Sequence, residues 1–120
     1  MADEISVTIS ATVVNGEFRD QFKPGNKRYD QQDGQRIAKT TTLTTNSTTL
    51  EVGELTSNKG WCFCTNHSTA NEIVIGPTSD SPFVRVFASG DASFPLVANT
   101  TLCARTLSGT AQLDHLIWST

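Results

Sequence analysis

Hydrophobic and polar residues alternate along much of this chain with the two-residue period of a β-strand. The alternation is clearest over residues 5–14, where apolar side chains occupy the odd positions from Ile5 to Val13 and Ser or Thr occupies the even positions up to Thr12. Asn15-Gly16 follows, and this dipeptide is a strong signal for a two-residue hairpin turn. The pattern predicts a half-buried strand over residues 5–14 and a short strand over residues 17–22 that folds back on it.

A second pair of strands is predicted over residues 60–75, joined by a polar tip at residues 66–71. In its first strand Trp61 and Phe63 share one face, whereas Cys62 and Cys64 share the other. A strand that is apolar on both faces belongs inside a sandwich or barrel, or beneath a partner subunit. We therefore interpret this predicted hairpin as the central element of the fold.

Similar short segments recur along the rest of the chain, separated by turn residues, and none has the periodicity of an amphipathic helix. They cover residues 37–45, 50–52, 82–88, 93–97, 101–107 and 111–118. Strands that recur every ~8–12 residues are typical of an all-β sandwich or barrel. The sequence predicts an all-β fold, a single-domain jelly-roll-like β-sandwich over residues 1–120 with about eight to ten short strands.

Residues 23–36 lose the alternation and are rich in Pro, Gly and polar side chains, which predicts an extended loop or arm. Aromatic and Arg side chains are the usual anchors of protein interfaces, and several lie in or beside this segment. The candidate assembly contacts are Phe18, Phe22, Arg28, Tyr29 and Arg36.

The charge pattern argues against two classes of partner. The formal net charge is −3, and Lys and Arg form no dense cluster, so we expect neither nucleic acid nor an anionic membrane as a partner. No apolar run is long enough to span a bilayer. The polar residues 1–4 do not resemble a secretory signal, so we expect synthesis in a host cytoplasm.

The three cysteines raise the question of a metal site, because Cys62, Cys64 and His67 are close in sequence and Cys103 and His115 could join them. A zinc knuckle has to turn around the ion, whereas alternate residues of a straight strand point in parallel. We interpret the cysteines as reduced, buried thiols, and we expect no metal and no cofactor.

The sequence also lacks a recognisable catalytic motif. Asp114 and His115 are adjacent, so on a strand they point to opposite faces, and His115 is interpreted as a core or interface residue. There is no Gly-x-Ser-x-Gly elbow and no Gly-rich phosphate loop. Trp61, Trp118 and Tyr29 could stack on a sugar ring, but both tryptophans are interpreted as core aromatics. We expect a protein that is not an enzyme.

Strands that are apolar on both faces leave more apolar surface than one small core can bury, which favours association with other chains. Several segments also resemble a recurring pattern in small virion proteins of tailed bacteriophages. They are residues 60–66 (GWCFCTN), 71–76 (NEIVIG), 82–86 (PFVRV), 94–96 (FPL), 102–105, 113–117 and the opening strand with Asn15-Gly16.

The resemblance implies a minor structural component of a virion with a β-sandwich fold. The leading hypothesis is a capsid decoration, or cement, protein that binds the major capsid protein or other virion proteins as a homo-oligomer, with a trimer expected. An alternative is a receptor-binding or carbohydrate-binding module of a tail or fibre. A third hypothesis, a small hydrolase or metal enzyme, would require a site that the sequence does not display.

Overall fold

The structure is a computed structural model that describes residues 5–29, 36–51, 59–78, 80–97 and 100–119. Within these ranges the chain forms ten strands and no helix. The strands are β1 (Ile5–Asn15), β2 (Phe18–Tyr29), β3 (Arg36–Leu43), β4 (Thr48–Thr49), β5 (Lys59–Asn66), β6 (Ile73–Gly76), β7 (Val84–Val86), β8 (Asp91–Pro95), β9 (Cys103–Thr106) and β10 (Ala111–Ser119). The chain divides into two compact units, Met1–Gln32 and Asp33–Thr120.

The first unit contains the antiparallel hairpin of β1 and β2, as predicted at Asn15-Gly16, but the turn lies one residue further along. Asn15 pairs with Phe18, so Gly16 and Glu17 are the two central residues. Gly16 has a φ of 60°, while Glu17 is not among the described residues with positive φ. Glycine at the first central position is the requirement of a type II′ turn, whereas an Asn-Gly type I′ turn would need positive φ at both.

The predicted loop at residues 23–36 is wrong for its first half, because residues 23–29 continue strand β2. Ile9 pairs with Gly25 and Ala11 pairs with Phe22, so Lys23 and Pro24 form a β-bulge opposite one residue of β1. A bulge accepts a proline, which has no N–H to donate, and Gly25 takes a φ of 86° next to it. Residues 30–35 lie outside the described residues, and Arg36 begins β3.

The second unit is a β-sandwich whose eight strands form two antiparallel sheets of four. The first sheet has the order β3-β10-β5-β8, and the second has the order β4-β9-β6-β7. Along the chain, the first of these strands pairs with the last, the second with the seventh, the third with the sixth and the fourth with the fifth. A hairpin ribbon wound in this way is a jelly roll, so the predicted fold class is confirmed.

The predicted hairpin at residues 60–75 is wrong in its pairing. Strand β5 pairs with β10 and β8, whereas β6 pairs with β9 and β7, so the chain crosses between the two sheets at the polar tip. The prediction that β5 is apolar on both faces is confirmed. Cys62 and Cys64 are buried between the sheets, and Trp61 and Phe63 point to the outer face of the first sheet.

The core lies between the inner faces of the two sheets. Each inward position alternates with an outward one, as the two-residue period requires. The buried cluster consists of Leu43, Leu50, Cys62, Cys64, Ile73, Ile75, Val86, Leu102, Ala104, Ala111, Leu113 and Ile117. Each large aliphatic side chain in it contributes about 1.5–3 kcal/mol relative to an exposed position, so this cluster is the main source of stability.

One buried polar residue, Asn66, stabilises the segment in which the chain passes from the first sheet to the second. The side chain of Asn66 is 1% exposed at the end of β5. Its Nδ2 donates to the carbonyl of Asn71 at 2.8 Å and to that of Phe87 at 3.2 Å, and its Oδ1 accepts from the backbone N–H of Ser68 at 2.9 Å. A buried amide with all of these partners fixes both the polar tip and the end of β7.

We expect Asn66→Ala to lower the free energy of unfolding by about 2–4 kcal/mol, because it leaves partly buried carbonyls and one N–H without a partner. The matched control is Asn46→Ala at an exposed turn position, where the change should be less than about 0.5 kcal/mol. Urea denaturation followed by tryptophan fluorescence measures both values. Equal losses for the two variants would contradict this assignment.

Candidate functional site

The hairpin of β1 and β2 presents one apolar face, because directly paired residues of antiparallel strands lie on the same side. This apolar face of the hairpin carries Ile9, Ala11, Val13, Phe18, Phe22 and Tyr29. Asp20 and Lys27 lie among them on the same side, and Ile5 and Val7 towards one end of the face are buried. Phe18 is 62% exposed and Phe22 is 60% exposed, which is unusual for side chains of this size. Contiguous apolar side chains in water are characteristic of a surface that contacts another protein.

The opposite face of the hairpin is polar. Asn26 donates from Nδ2 to the hydroxyl oxygens of Ser6 at 2.7 Å and Thr8 at 2.9 Å, a hydrogen-bonded cluster that bridges the two strands. Arg28 pairs with Ser6 and so lies on this polar face. Of the five candidate assembly contacts, Phe18, Phe22 and Tyr29 therefore lie on one face of the hairpin, with Phe18 and Tyr29 at its opposite ends. Arg28 lies on the opposite face of the hairpin, and Arg36 belongs to strand β3 of the other unit.

A second surface lies on the outer face of the first sheet, where the register of four strands aligns side chains in rows. Asp114 pairs with Thr40 and with Thr65, and Thr65 pairs with Asp91. We call these four residues the polar row. The next row along the strands, here called the middle row, consists of Ala38, Leu116, Phe63 and Ser93, and the third consists of Arg36, Trp118, Trp61 and Pro95.

Hydrogen bonds hold the polar row in place. The Thr40 hydroxyl donates to Oδ1 of Asp114, and the Thr65 hydroxyl donates to Oδ1 of Asp91 at 2.8 Å. His67 follows the end of β5, and its Nε2 lies 2.6 Å from Oδ2 of Asp114. The row is thus a chain of oriented donors and acceptors on a single sheet face.

The aromatic side chains of this face form one cluster around Phe63. Its ring stacks on Trp61 with the centroids 6.1 Å apart, and it meets Trp118 at 4.8 Å with an interplanar angle of 60°. The interpretation of the tryptophans as core aromatics is confirmed for Trp61, which is buried, whereas Trp118 is half-buried on the outer face. Trp61 is buried but lies on the outer face, and Tyr29, the third aromatic considered for sugar stacking, belongs to the hairpin.

The adjacent pair Asp114 and His115 points to opposite faces of β10, as predicted. His115 is 1% exposed on the inner side, and its Nε2 lies 2.8 Å from the carbonyl oxygen of Glu51. Nδ1 of the same ring has no hydrogen-bond partner among the described residues. His115 thus links strand β10 to the segment after β4 and faces away from Asp114.

The partners of Asp114 set its protonation state. The hydrogen bond from Thr40 lowers the pKa of the Asp114 carboxyl, and the hydrogen bond from His67 lowers it further. The carboxylate is therefore ionised at neutral pH. The Thr40 hydroxyl donates to a carboxylate and not to an imidazole, so this group of residues does not activate a nucleophile in the manner of a catalytic triad.

The cysteines of β5 lie in the core with their sulfur atoms 3.5 Å apart. The hydrogen bond with Cys64, together with burial, raises the pKa of the Cys62 thiol, so this group stays protonated and unreactive. The interpretation as buried thiols is confirmed for Cys62 and Cys64, whereas Cys103 is half-buried. Within the described ranges no group of three or more His, Cys, Asp and Glu residues is arranged to hold a metal ion.

No known protein family, curated protein or solved structure matches this chain. The described part of the chain also contains no helix that is long and apolar enough to cross a membrane.

Sequence reasoning did not identify the polar row. His67 and Asp114 are 47 residues apart, and only the pairing of β5 with β10 brings them together. Nothing in the sequence of β10 marks Asp114, because a polar residue between two inward positions is what strand alternation predicts.

We expect Thr40→Val to raise the pKa of Asp114, because the substitution removes the first cause of its depression. A carboxyl with a depressed folded-state pKa adds stability above its unfolded pKa of about 3.9, and this stability is lost as the pH falls through the folded pKa. The stability difference between the wild type and Thr40→Val should therefore be full at pH 7 and shrink in acid.

The control is Thr42→Val, an exposed position on the same face of β3 that pairs with Gln112. Carbon-detected NMR titration of the Asp114 carboxyl gives the pKa in each variant. An unchanged Asp114 pKa in Thr40→Val, or the same change in both variants, would refute the hydrogen-bond explanation.

Proposed function

We propose that this chain is a non-enzymatic structural protein of a tailed-bacteriophage virion, acting as a capsid decoration protein. In this proposal it self-associates and binds the major capsid protein or another virion protein, and the apolar face of the hairpin makes the contact. The expectation of a homotrimer comes from the resemblance of the sequence to small virion proteins.

The observation that carries the proposal is the hairpin itself. Among the described residues, two strands of 11 and 12 residues pair only with each other, and Phe18 and Phe22 on one face of the pair are exposed. Covering large apolar side chains that are exposed to water is favourable, so a partner on this face would stabilise the hairpin. Phe18 and Phe22 are the largest exposed side chains on this face and would be its anchors.

The edges of the hairpin offer a second mode of contact. Each strand of a two-stranded sheet has one edge with unpaired backbone donors and acceptors, and a strand of a partner can add to such an edge. Main-chain hydrogen bonds would then supply affinity while the aromatic side chains supply specificity. A long hairpin of this kind suits an assembly protein better than an enzyme, since it adds contact area and no reactive group.

The topology of the second unit is consistent with the same proposal. Jelly rolls are common in viral capsid proteins, which supports the proposal. The same fold also occurs in lectins and in other classes of protein. The alternative of a carbohydrate-binding tail or fibre module draws its support from the outer face of the first sheet, which is considered below.

We expect Phe22→Ser to abolish self-association, because replacing an aromatic anchor at an interface typically weakens binding by about 2 kcal/mol or more, roughly 30-fold. The matched control is Val14→Ser, which removes an apolar side chain that is 64% exposed on the opposite face of the same hairpin. Sedimentation velocity over a range of concentrations measures the oligomeric state. A monomeric wild type, or equal losses for both variants, would argue against this interface.

We also expect the purified protein to bind empty capsids of its parent virion and to raise their melting temperature, since a ligand that binds only the assembled state stabilises it. Co-sedimentation and differential scanning calorimetry measure the two effects, with Phe22→Ser and Val14→Ser as the test and control proteins. No binding at micromolar concentrations of the wild type would overturn the assignment as a decoration protein.

A further inference from the structure

The polar row and the middle row line two adjacent depressions on the outer face of the first sheet, together called the groove. A depression of ≈ 390 Å³ lies over β3, β10 and β5, and a second of ≈ 320 Å³ lies over β5 and β8. Phe63 and Thr65 line both, so the two depressions meet above the centre of β5. Because neighbouring strands are ~4.8 Å apart, the groove extends over ~14 Å across the four strands.

The floor of this groove is apolar and is held in one position. Ala38 and Ser93 are small side chains at the two ends of the middle row, and between them lie Leu116 and the half-buried ring of Phe63. Trp61 and Trp118 pack against that ring in the row behind it. Restriction of the ring before any ligand arrives lowers the entropic cost of binding.

The rim of the groove carries groups that can form further hydrogen bonds with a ligand. A carboxylate offers about four acceptor positions. The Asp114 carboxylate is hydrogen-bonded to Thr40 and His67, and the Asp91 carboxylate accepts a hydrogen bond from Thr65. The remaining acceptor positions and the other nitrogen of the exposed His67 ring are available to the hydroxyl groups of a ligand. These groups hold one another in place, so the rim is preorganised as well.

This combination selects one class of ligand. A pyranose ring has an apolar face of C–H groups that packs on an aromatic ring, and it has hydroxyl groups around its edge that bond to carboxylates and hydroxyls. A single metal ion would not fit, because Asp114 and Asp91 are two strands apart, ~10 Å, with Thr65 between them.

We propose that this groove binds a short oligosaccharide, with a pyranose ring lying on Phe63 and its hydroxyl groups bonded to Asp114, Thr65 and Asp91. The hydrogen bonds from Thr40 and His67 lower the pKa of Asp114 and keep it ionised, so this carboxylate accepts hydrogen bonds from ligand hydroxyl groups. The proposal concerns a different surface from the hairpin and does not depend on the assembly function.

The test begins with the full-length protein on a printed array of bacterial surface glycans, including O-antigen, capsule and peptidoglycan fragments. The best-bound glycan is then titrated in solution while tryptophan fluorescence is recorded. Both tryptophans of the chain lie in the row next to Phe63, so a ligand on that ring should change their emission. We expect saturable binding.

Three variants test the residues of the groove: Asp114→Asn, Thr65→Val and Phe63→Leu. Each should weaken binding by about tenfold or more, because each removes a hydrogen-bond partner or the stacking ring. The control is Thr49→Val, an exposed threonine in strand β4 of the second sheet, which should leave the affinity unchanged. Thermal unfolding curves identify any variant that has lost its fold, and the other substitutions then decide the outcome.

Two results would overturn the proposal. One is the absence of binding to any glycan of the array at millimolar concentration in solution. The other is binding that the folded groove variants leave intact, which would place the sugar elsewhere on the chain. Neither result would bear on the hairpin, whose test is self-association and capsid binding.

Discussion

The packing of two sheet faces against each other is the constraint on which the rest of this structure depends. Strand β10 shows how it works, because Ala111, Leu113, His115 and Ile117 face the core while the residues that alternate with them point outward. A slip of one residue in the pairing of β10 would exchange these two sets, burying Asp114 and exposing the aliphatic side chains. Burial of the inner face therefore fixes the register, and the register in turn aligns the polar row on the outer face.

The hairpin is built differently, because among the described residues its two strands form backbone hydrogen-bonded pairs only with each other. Its length comes from the bulge at Lys23 and Pro24, which lets the strand continue past a proline. The bulge also preserves the alternation on either side, so that Phe22 and Tyr29 share a face. The result is a ribbon with a hydrogen-bonded polar face and an opposite face on which Phe18 and Phe22 are exposed.

Local patterns were sufficient to predict the class of fold but not its pairings. Alternation and turn residues identified the strands, since both depend on neighbours in sequence. The same reasoning interpreted Pro24 and Gly25 as the start of a loop, because a bulge is defined by the partner strand and has no signature in one strand alone. It also joined β5 to β6, although burial on both faces is equally compatible with a crossing between sheets. The polar row could not be predicted either, because its members come from four strands whose pairing local patterns do not determine.

His115 illustrates what this architecture tolerates. Its ring occupies a core position that an aliphatic side chain would fill without leaving a nitrogen unpaired, and a buried acceptor without a partner costs about 1–3 kcal/mol. In exchange, Nε2 bonds the backbone of Glu51, whose side chain also lies 3.1 Å from the ammonium group of Lys39 on β3. These contacts hold the segment after β4 against the first sheet, where no ladder of strand pairing reaches it. The groove lies on the other side of the same two strands, so the rigidity gained in the core supports a preorganised outer surface.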